Sequence, residues 1–445
     1  MSVTSPTMQS RFASLLGPAS VVAESSALAQ FEIGGITPSV VVRPDAVEQV
    51  SEIIKLAASE QFAVVVTGGR TKLNIGLPPA KYDVALDMSA LGKIISYDPG
   101  DLTLSVEAGI PLLHLARALG KHGQFLPLAV PFLERTTIGG TVASGVDGPL
   151  RQFYGTARDY LLGMEFVTGD GIASKSGGRV VKNVTGYDIH KLMIGALGTL
   201  GVITRLNFKT FPLPGATRGF VARFPSAAQA CEMRHRIAKS PLTPLTVEIL
   251  SPSVADLFTS SAVPPSKFEP APMPPGVLSN SEWAVTTGYC GIEPVLARYA
   301  KDLHQIAADC GATGVTILAE NLAPAWARKR EFIPIALASS PATTVVKVSV
   351  LPSRLKGILD AAQSAAEANS LAWAAIARGV GVAYIALLPP DQNPDTFPRV
   401  QKATNAIHQA AAKLEANSTI PWCPAPWKPD LHIWGLDSRS VPQMQ

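Results

Sequence analysis

The chain has 445 residues, 47% hydrophobic and 16% charged, with a formal net charge of +4. That length exceeds one ordinary core and points to two domains, and the apolar content to a large buried interior. The small charge, without a long Lys/Arg run, excludes a nucleic-acid surface, and the absence of any CxxC among Cys231, Cys290, Cys310 and Cys423 excludes a locally encoded zinc or cysteine-ligated iron–sulfur site.

No run of about 18 uncharged apolar residues occurs, so no membrane span is expected. The N-terminus lacks the compact apolar segment of a signal peptide, and four scattered thiols suit a cytosolic protein in which they stay reduced.

Residues 1–37 are weakly patterned, with a short helix expected near 9–16. A β-branched strand follows at Val40–Val42. Asp45, three residues before Glu48, reads as the cap of a helix carrying Val47, Val50, Ile54 and Ala57 on one face. The next strand is expected at 62–66. Strand, helix and strand at this spacing form a βαβ unit, which implies a parallel pair.

That second strand runs into TGGRTK, Thr67, Gly68, Gly69, Arg70, Thr71 and Lys72. A Gly-Gly turn leaving a strand can aim successive N–H groups at one anion, and Arg70 and Lys72 add positive charge beside it. A pyrophosphate is one guest for such a turn; a plain surface turn is the other reading. The spacing is neither GxGxxG nor GxxxxGK[ST], so a Rossmann NAD site and a Walker ATPase are both poorly supported.

Further strands are expected at 83–88 and 102–108, and Pro111 opens a helix bearing Leu112, Leu115, Ala116 and Leu119. Residues 125–214 are crowded with glycines between strand-like runs at 164–168 and 202–208. Backbone without Cβ atoms can lie close along a flat ligand, and ordinary turns in a glycine-rich sheet would look the same. Gly169-Asp170-Gly171 marks a hairpin, and DIHKLMIGA reads as a helix before Gly201.

After Pro214 the texture changes. Helices are expected at 227–239, 293–308, 324–332, 353–368 and 394–414. Strands are expected at 246–250, 283–288, 315–319 and 344–350, with a hairpin inside 371–388 and a proline-rich loop at 263–276. This alternation suits an antiparallel sheet with helices on one face. The tail from Ala416 is rich in Pro and Trp and poorly periodic. Arg328, Lys329 and Arg330 could bind a carboxylate, but a charge run of this kind reads first as a solvated helical face.

The pieces VVVTGGRTKLNIG, DLTLSVEAGIPLLHLARAL, GQFLPL, TIGGTVASGVDGPLRQFYGTARDYLLG, GGRVVKNVTGYDIHKLMIGALGTLGVIT and VAYIALLP together resemble the FAD-binding subunit of bacterial glycolate oxidase. That family belongs to the wider vanillyl-alcohol-oxidase-type group with a PCMH-type FAD-binding fold. The resemblance is strong over about 35–215 and looser beyond. It implies an α+β chain: an N-terminal segment (1–34), a two-subdomain PCMH-type FAD-binding domain (35–215), an α+β cap with an antiparallel sheet (216–415), and a C-terminal segment (416–445) returning toward the FAD domain.

By the same resemblance, the Gly68–Thr71 turn holds the FAD pyrophosphate. Pro127, Thr137, Ile138, Gly139, Gly140, Thr141 and Ser144 contact the flavin end. Gly148, Tyr154, Gly155, Gly201, Val202 and Ile203 line the rest of the groove. Lys182, Asn183, Tyr187 and Asp188 match a family motif to which the sequence assigns no chemistry.

Covalent flavin attachment in such proteins commonly uses a histidine in the phosphate loop; TGGRTK has none, so FAD is expected to be non-covalent. Related D-2-hydroxyacid dehydrogenases carry an HxHxGDGN stretch that places a metal and a base. VAYIALLP stands in that region, His114, His122, His190, His235, His304, His408 and His432 are scattered, and neither a metal site nor a catalytic base is named. Chains of the family continue past a segment like DLHIWGLDSRSVPQMQ into a basic helix, so this one is either truncated at Gln445 or belongs to a branch without it. The implied role is oxidation of glycolate or a related 2-hydroxy acid within a complex. Its expected partners are a related FAD-containing catalytic subunit and an iron–sulfur subunit, in the cytoplasm or peripheral to the inner membrane through that complex. A self-sufficient D-lactate-like dehydrogenase is the alternative.

Overall fold

A computed structural model describes residues 7–179, 186–259, 276–318 and 328–436. The expected Lys182 and Asn183 positions, nearly all of the 263–276 loop, residues 324–327 of the 324–332 helix and residues 437–445 lie outside them. The chain forms two compact units: Met1–Asn74, Pro78–Asp147 and Gly155–Leu213 in the first, Ile75–Leu77, Gly148–Tyr154 and Pro214–Gln445 in the second.

The first unit holds two sheets. One contains β1 (Val21–Val22), β2 (Val40–Val42), β3 (Val64–Thr67) and β4 (Val84–Asp87) in the order β1-β2-β4-β3. The expected βαβ unit needs correction here. β2 and β3 are not a pair, because β4 lies between them and runs parallel to both. Val40, Val42, Val84 and Leu86 are buried against Val50, Ile53 and Ile54 of the Val47–Ser59 helix and Phe12 of the Met8–Leu16 helix. Asp45 does not cap that helix. Ala46 is its N-cap residue, without a side-chain bond, and Gln49 Oε1 accepts from the Asp45 N–H instead (2.9 Å).

The other sheet is antiparallel. It contains β5 (Ile94–Asp98), β6 (Thr103–Glu107), β8 (Leu161–Val167), β9 (Ala173–Gly177) and β10 (Val202–Lys209) in the order β5-β6-β10-β8-β9. Leu104, Val106, Met164, Leu206 and Phe208 form its core face, covered by Leu115 and Leu119 of the Leu112–Gly120 helix and Ile138 and Val142 of the Ile138–Ser144 helix. A short pair, β7 (Gln124–Phe125) with β11 (Phe211–Pro212), closes one end. DIHKLMIGA is helical only over Ile189–Leu192.

The second unit is built on an eight-stranded antiparallel sheet. Its strands are β12 (Thr217–Phe224), β13 (Thr246–Leu250), β14 (Trp283–Cys290), β15 (Gly314–Leu318), β16 (Thr344–Ser349), β17 (Trp373–Arg378), β18 (Val382–Leu387) and β19 (Asn417–Trp422), in the order β15-β12-β14-β13-β17-β18-β16-β19. The Ala227–Lys239, Glu293–Asp309, Leu355–Ala368 and Thr396–Lys413 helices bury Met233, Leu303, Leu359 and Ile407 with Phe220, Val247, Val285, Ala377 and Ile385 of the sheet. β12 and β19 are additions to the sequence reading, which left both stretches without a strand.

Candidate functional site: a phosphate-binding turn and a buried charged cluster

In the first unit, β3 ends at buried Thr67, whose Oγ1 donates to Leu86 O (3.4 Å). The chain then lies against the segment entering the Ile138–Ser144 helix. A Cβ on Gly69 would sit 1.7 Å from the Arg135 carbonyl oxygen, and one on Gly68 2.5 Å from Thr137 Oγ1. Only glycine permits that approach.

Arg70 follows in the left-handed region (φ 56°), where alternating handedness turns successive amides toward one point. No hydrogen bond among the described residues is donated by the backbone N–H of Gly69, Arg70 or Thr71. The Arg70 guanidinium lies 4.4 Å above the Phe31 ring, and its Nε is buried without a partner. Lys72 Nζ donates to Thr71 Oγ1 (3.1 Å) and Thr136 Oγ1 (2.9 Å), while the two threonine hydroxyls are 3.1 Å apart. Unpaired amides beside two cations are an arrangement that can serve an anion.

The remaining positions divide. Thr137 caps the Ile138–Ser144 helix, accepting from Gly140 N. Gly139 is pressed on the end of β6, where an added Cβ would meet Ala108 Cβ at 2.7 Å. Thr141 and Ser144 spend their hydroxyls on helix carbonyls, Thr137 O and Thr141 O. Pro127 is buried, and Gly155 takes a positive φ of 79° beside Asp159. Gly201 and Val202 line a cleft of about 240 Å³ with Val66 and Gly198, whereas Ile203 turns into the core. Gly148 and Tyr154 fold with the second unit. Tyr187 is exposed at 89%, and Asp188 is held below the usual carboxylate range by its hydrogen bond with Lys191. The sequence reading missed Thr136, which joins the turn to the helix.

The second unit contains a cluster that sequence reasoning also missed. Val247, Ile249, Ala375, Ala377, Ala383 and Ile385 face the helices, so alternation sends Glu248, Arg378, Tyr384 and Lys347 to the other face. Lys329 joins them, with Nζ 2.7 Å from Glu248 Oε2 and 3.0 Å from Thr286 Oγ1. The expected solvated Arg-Lys-Arg face is therefore corrected: Lys329 is buried, because Glu248 and Thr286 supply a polar partner inside.

Glu248 sits directly opposite Arg378 in the sheet. The Arg378 guanidinium carbon lies 4.9 Å from the Tyr384 ring centroid, and Lys347 Nζ lies 6.0 Å from it. Tyr384 is 1% exposed and lies beside the Arg378 guanidinium. Burial opposes ionisation of this phenol, but Lys347, Arg378 and Arg151 outweigh it and hold it below its ordinary value. Burial likewise works against the Arg378 charge, partly offset by Tyr384. Arg378 and Lys347 beside the ring leave this face with positive charge that is suited to an anion. Lone charges within apolar strands, as in TVEIL and AAIAR, were the available sequence signal.

Two family models match the chain: the FAD binding domain over residues 38–176, and the C-terminal domain of FAD linked oxidases over residues 213–415. The chain belongs to the FAD-linked oxidases. The cofactor is FAD. The glycolate oxidase subunit GlcE of Escherichia coli (strain K12) is 38% identical over 37% of this chain and 47% of its own length. The subunit GlcD of Bacillus subtilis (strain 168) is 29% identical over 48% of this chain and 45% of its own. The chain thus spans under half the length of these curated relatives. Among solved structures, p-cresol methylhydroxylase with substrate bound shares the fold, with a TM-score of 0.75 and 18% identity over 94% of this chain and 88% of that one.

Among the described residues, no cluster of three or more His, Cys, Asp or Glu could hold a metal ion, and no helix is long and apolar enough to cross a membrane.

Proposed function

We propose that this chain is the FAD-carrying subunit of a glycolate oxidase or dehydrogenase-type complex, oxidising glycolate or a related 2-hydroxy acid to the 2-oxo acid. The observation that carries the reading is the cationic face of buried Arg378 and half-buried Lys347 around Tyr384, which suits a small carboxylate. Gly68–Thr71, Arg70 and Lys72 bind the cofactor diphosphate, with Pro127, the 137–144 segment, Gly148, Tyr154, Gly155 and Gly201–Ile203 along the rest of it. FAD is bound non-covalently, since TGGRTK offers no histidine, and it supplies the two-electron acceptor. Arg378 and Lys347 orient the carboxylate, and the buried surroundings keep water from the reacting carbon. Electrons leave to an iron–sulfur partner, with a related FAD-containing subunit in the same complex. The complex is cytoplasmic or peripheral to the inner membrane.

The named relatives support this reading, being glycolate oxidase subunits themselves. A self-sufficient D-2-hydroxyacid dehydrogenase is favoured by one observation, that the anion-suited cluster lies within this chain.

The test is an anaerobic absorbance spectrum of the purified chain, before and after glycolate or D-lactate and again with partner subunits. Flavin bands that bleach only in the assembled complex support the subunit reading. Bleaching at a catalytic rate in the isolated chain supports the alternative. A colourless protein, or bands that no 2-hydroxy acid bleaches in either state, overturns both.

A further inference from the structure

We propose that the polar face of the five-stranded sheet in the first unit binds a small dianion, a dicarboxylate or a phosphate monoester. The proposal is independent of the function proposed above. Every residue lining the cleft belongs to the first unit.

Alternation creates the face. Leu104, Val106, Met164, Phe166, Leu206 and Phe208 pack inward, so Ser105, Glu165, Arg205 and Asn207 take the other side. Two β-bulges sharpen that division. The register skips Thr204 between Ile203 and Arg205, and Ile95 between Ile94 and Ser96. Each extra residue lets apolar neighbours on both sides of it reach the core, and puts Arg205 and Ser96 on the polar face.

The cleft there measures about 510 Å³. Its floor is polar yet nearly closed to water: Ser105 is 4% exposed and Asn207 9%, and the two lie opposite one another in the register. Neither side chain makes a hydrogen bond among the described residues. Buried polar groups ordinarily have a partner, and for these two a guest in the cleft supplies it.

The walls are cationic. Arg179, which follows β9, crosses to the far edge of the sheet, where its Nη1 donates to Ser96 Oγ on β5 (2.9 Å). It can do so because the chain after Gly177 folds onto β8; a Cβ on Gly163 would sit 2.5 Å from Gly178 N. Arg205 Nη1 lies 3.0 Å from Glu165 Oε1. Lys175, opposite Glu165 in the register, has no ion-pair partner among the described residues. Glu107, opposite Arg205, lies outside the cleft and accepts from Lys93 N (2.7 Å). Three cations among the lining residues thus face one carboxylate, an excess of two positive charges. Charged N–H groups on the walls, with an amide and a hydroxyl on the floor, suit a small molecule with two negative charges.

The experiment is isothermal titration calorimetry of the full FAD-loaded chain with succinate and, separately, inorganic phosphate, against acetate at matched ionic strength. At least one dianion should bind saturably, at one site per chain, and acetate should not. Either supports the proposal, and which one binds tells carboxylate from phosphate. Arg179→Gln and Lys175→Gln, at exposed positions, should each weaken binding about fivefold with flavin content and melting temperature unchanged. Asn207→Leu should weaken it similarly; should that variant fail to fold, the two wall variants decide.

Dianion binding no stronger than that of acetate overturns the proposal, as does binding unaltered in both Arg179→Gln and Lys175→Gln. Phosphate that binds only to the FAD-free chain is held by the 67–72 turn instead, and overturns it too.

Discussion

Lys329 Nζ lies 2.7 Å from Glu248 Oε2, with only 2% and 1% of the two side chains reaching water. An ion pair this deep is a poor source of net stability, because desolvating both charges offsets their attraction. Removing one partner alone is another matter. Lys329→Met leaves a bare buried carboxylate and is expected to destabilise by about 3–5 kcal/mol. The Lys329→Met/Glu248→Leu double variant should regain most of that. Urea unfolding of the three proteins checks it, and a single variant as stable as wild type would mean the pair is solvated.

Gly69→Ala would bring a methyl group into the Arg135 carbonyl, which as backbone cannot swing aside. The turn must then leave Thr136 and Thr137, and the amides with it. Purified Gly69→Ala is expected to carry little flavin, read as the ratio of visible to ultraviolet absorbance. Gly120→Ala, at the end of the Leu112–Gly120 helix with nothing within 4 Å of its new Cβ, should keep wild-type flavin content.

With FAD on the 68–72 turn as proposed, Thr136 would act one step removed from the cofactor. Its hydroxyl holds Lys72 Nζ at 2.9 Å and meets Thr71 Oγ1 at 3.1 Å. Thr136→Val keeps shape and burial but loses both bonds. FAD binding should weaken by about 1 kcal/mol, roughly fivefold in Kd, by fluorescence titration of apoprotein. Thr136→Ser should restore it.

His408 in the Thr396–Lys413 helix is buried, bonded to Ser418, and held down to about 4 by burial first and the nearby His432 second. Its folded value lies below its unfolded one, so the unfolded chain binds the proton more readily. Stability is therefore lost as pH falls from about 6.5 toward 4, on the order of 2 kcal/mol at pH 5 from this group. His408→Gln removes the titration. The gap between its urea midpoints at pH 7 and pH 5 should be smaller than the wild-type gap; equal gaps would count against this assignment.

The elements most legible in the sequence are those whose signals are local. The Ala227–Lys239 helix begins after Ser226, whose side chain accepts from Gln229 N, and carries Ala230, Met233 and Ile237 on one face. The following strand, TVEIL, is short and apolar at Val247, Ile249 and Leu250. β12 escaped because Arg218 and Arg223 interrupt its apolar pattern, with their charges drawn to Glu293 and Glu282 on neighbouring segments. β19 holds Pro421 and polar residues and owes its place to pairing with β16. β2 and β3 read correctly as strands, but which strand lies between them is a long-range choice that period and spacing do not encode.

The same division holds at the sites. TGGRTK and TIGG are continuous, so their glycines and charges were visible. The cap cluster is drawn from four separate strands and Lys329, and apart from Arg378 and Tyr384, six positions apart in one hairpin, its members are distant in the chain. A charge run such as Arg328-Lys329-Arg330 reads as solvated whenever the carboxylate that pulls one member inward lies in a distant segment.

The hydroxyl clamp on the phosphate-binding turn joins residues 64 and 65 positions apart in the chain. During synthesis, Thr71 and Lys72 emerge well before the threonine that secures them, and β4 through β7 are made in between. A nascent chain therefore has the glycines of the turn before it has the shape of the turn. On the proposed role of the turn, cofactor capture is expected to follow closure of this long loop rather than to seed it. FAD supplied early to a growing chain is then expected to give no advantage until the segment through Thr137 has been made.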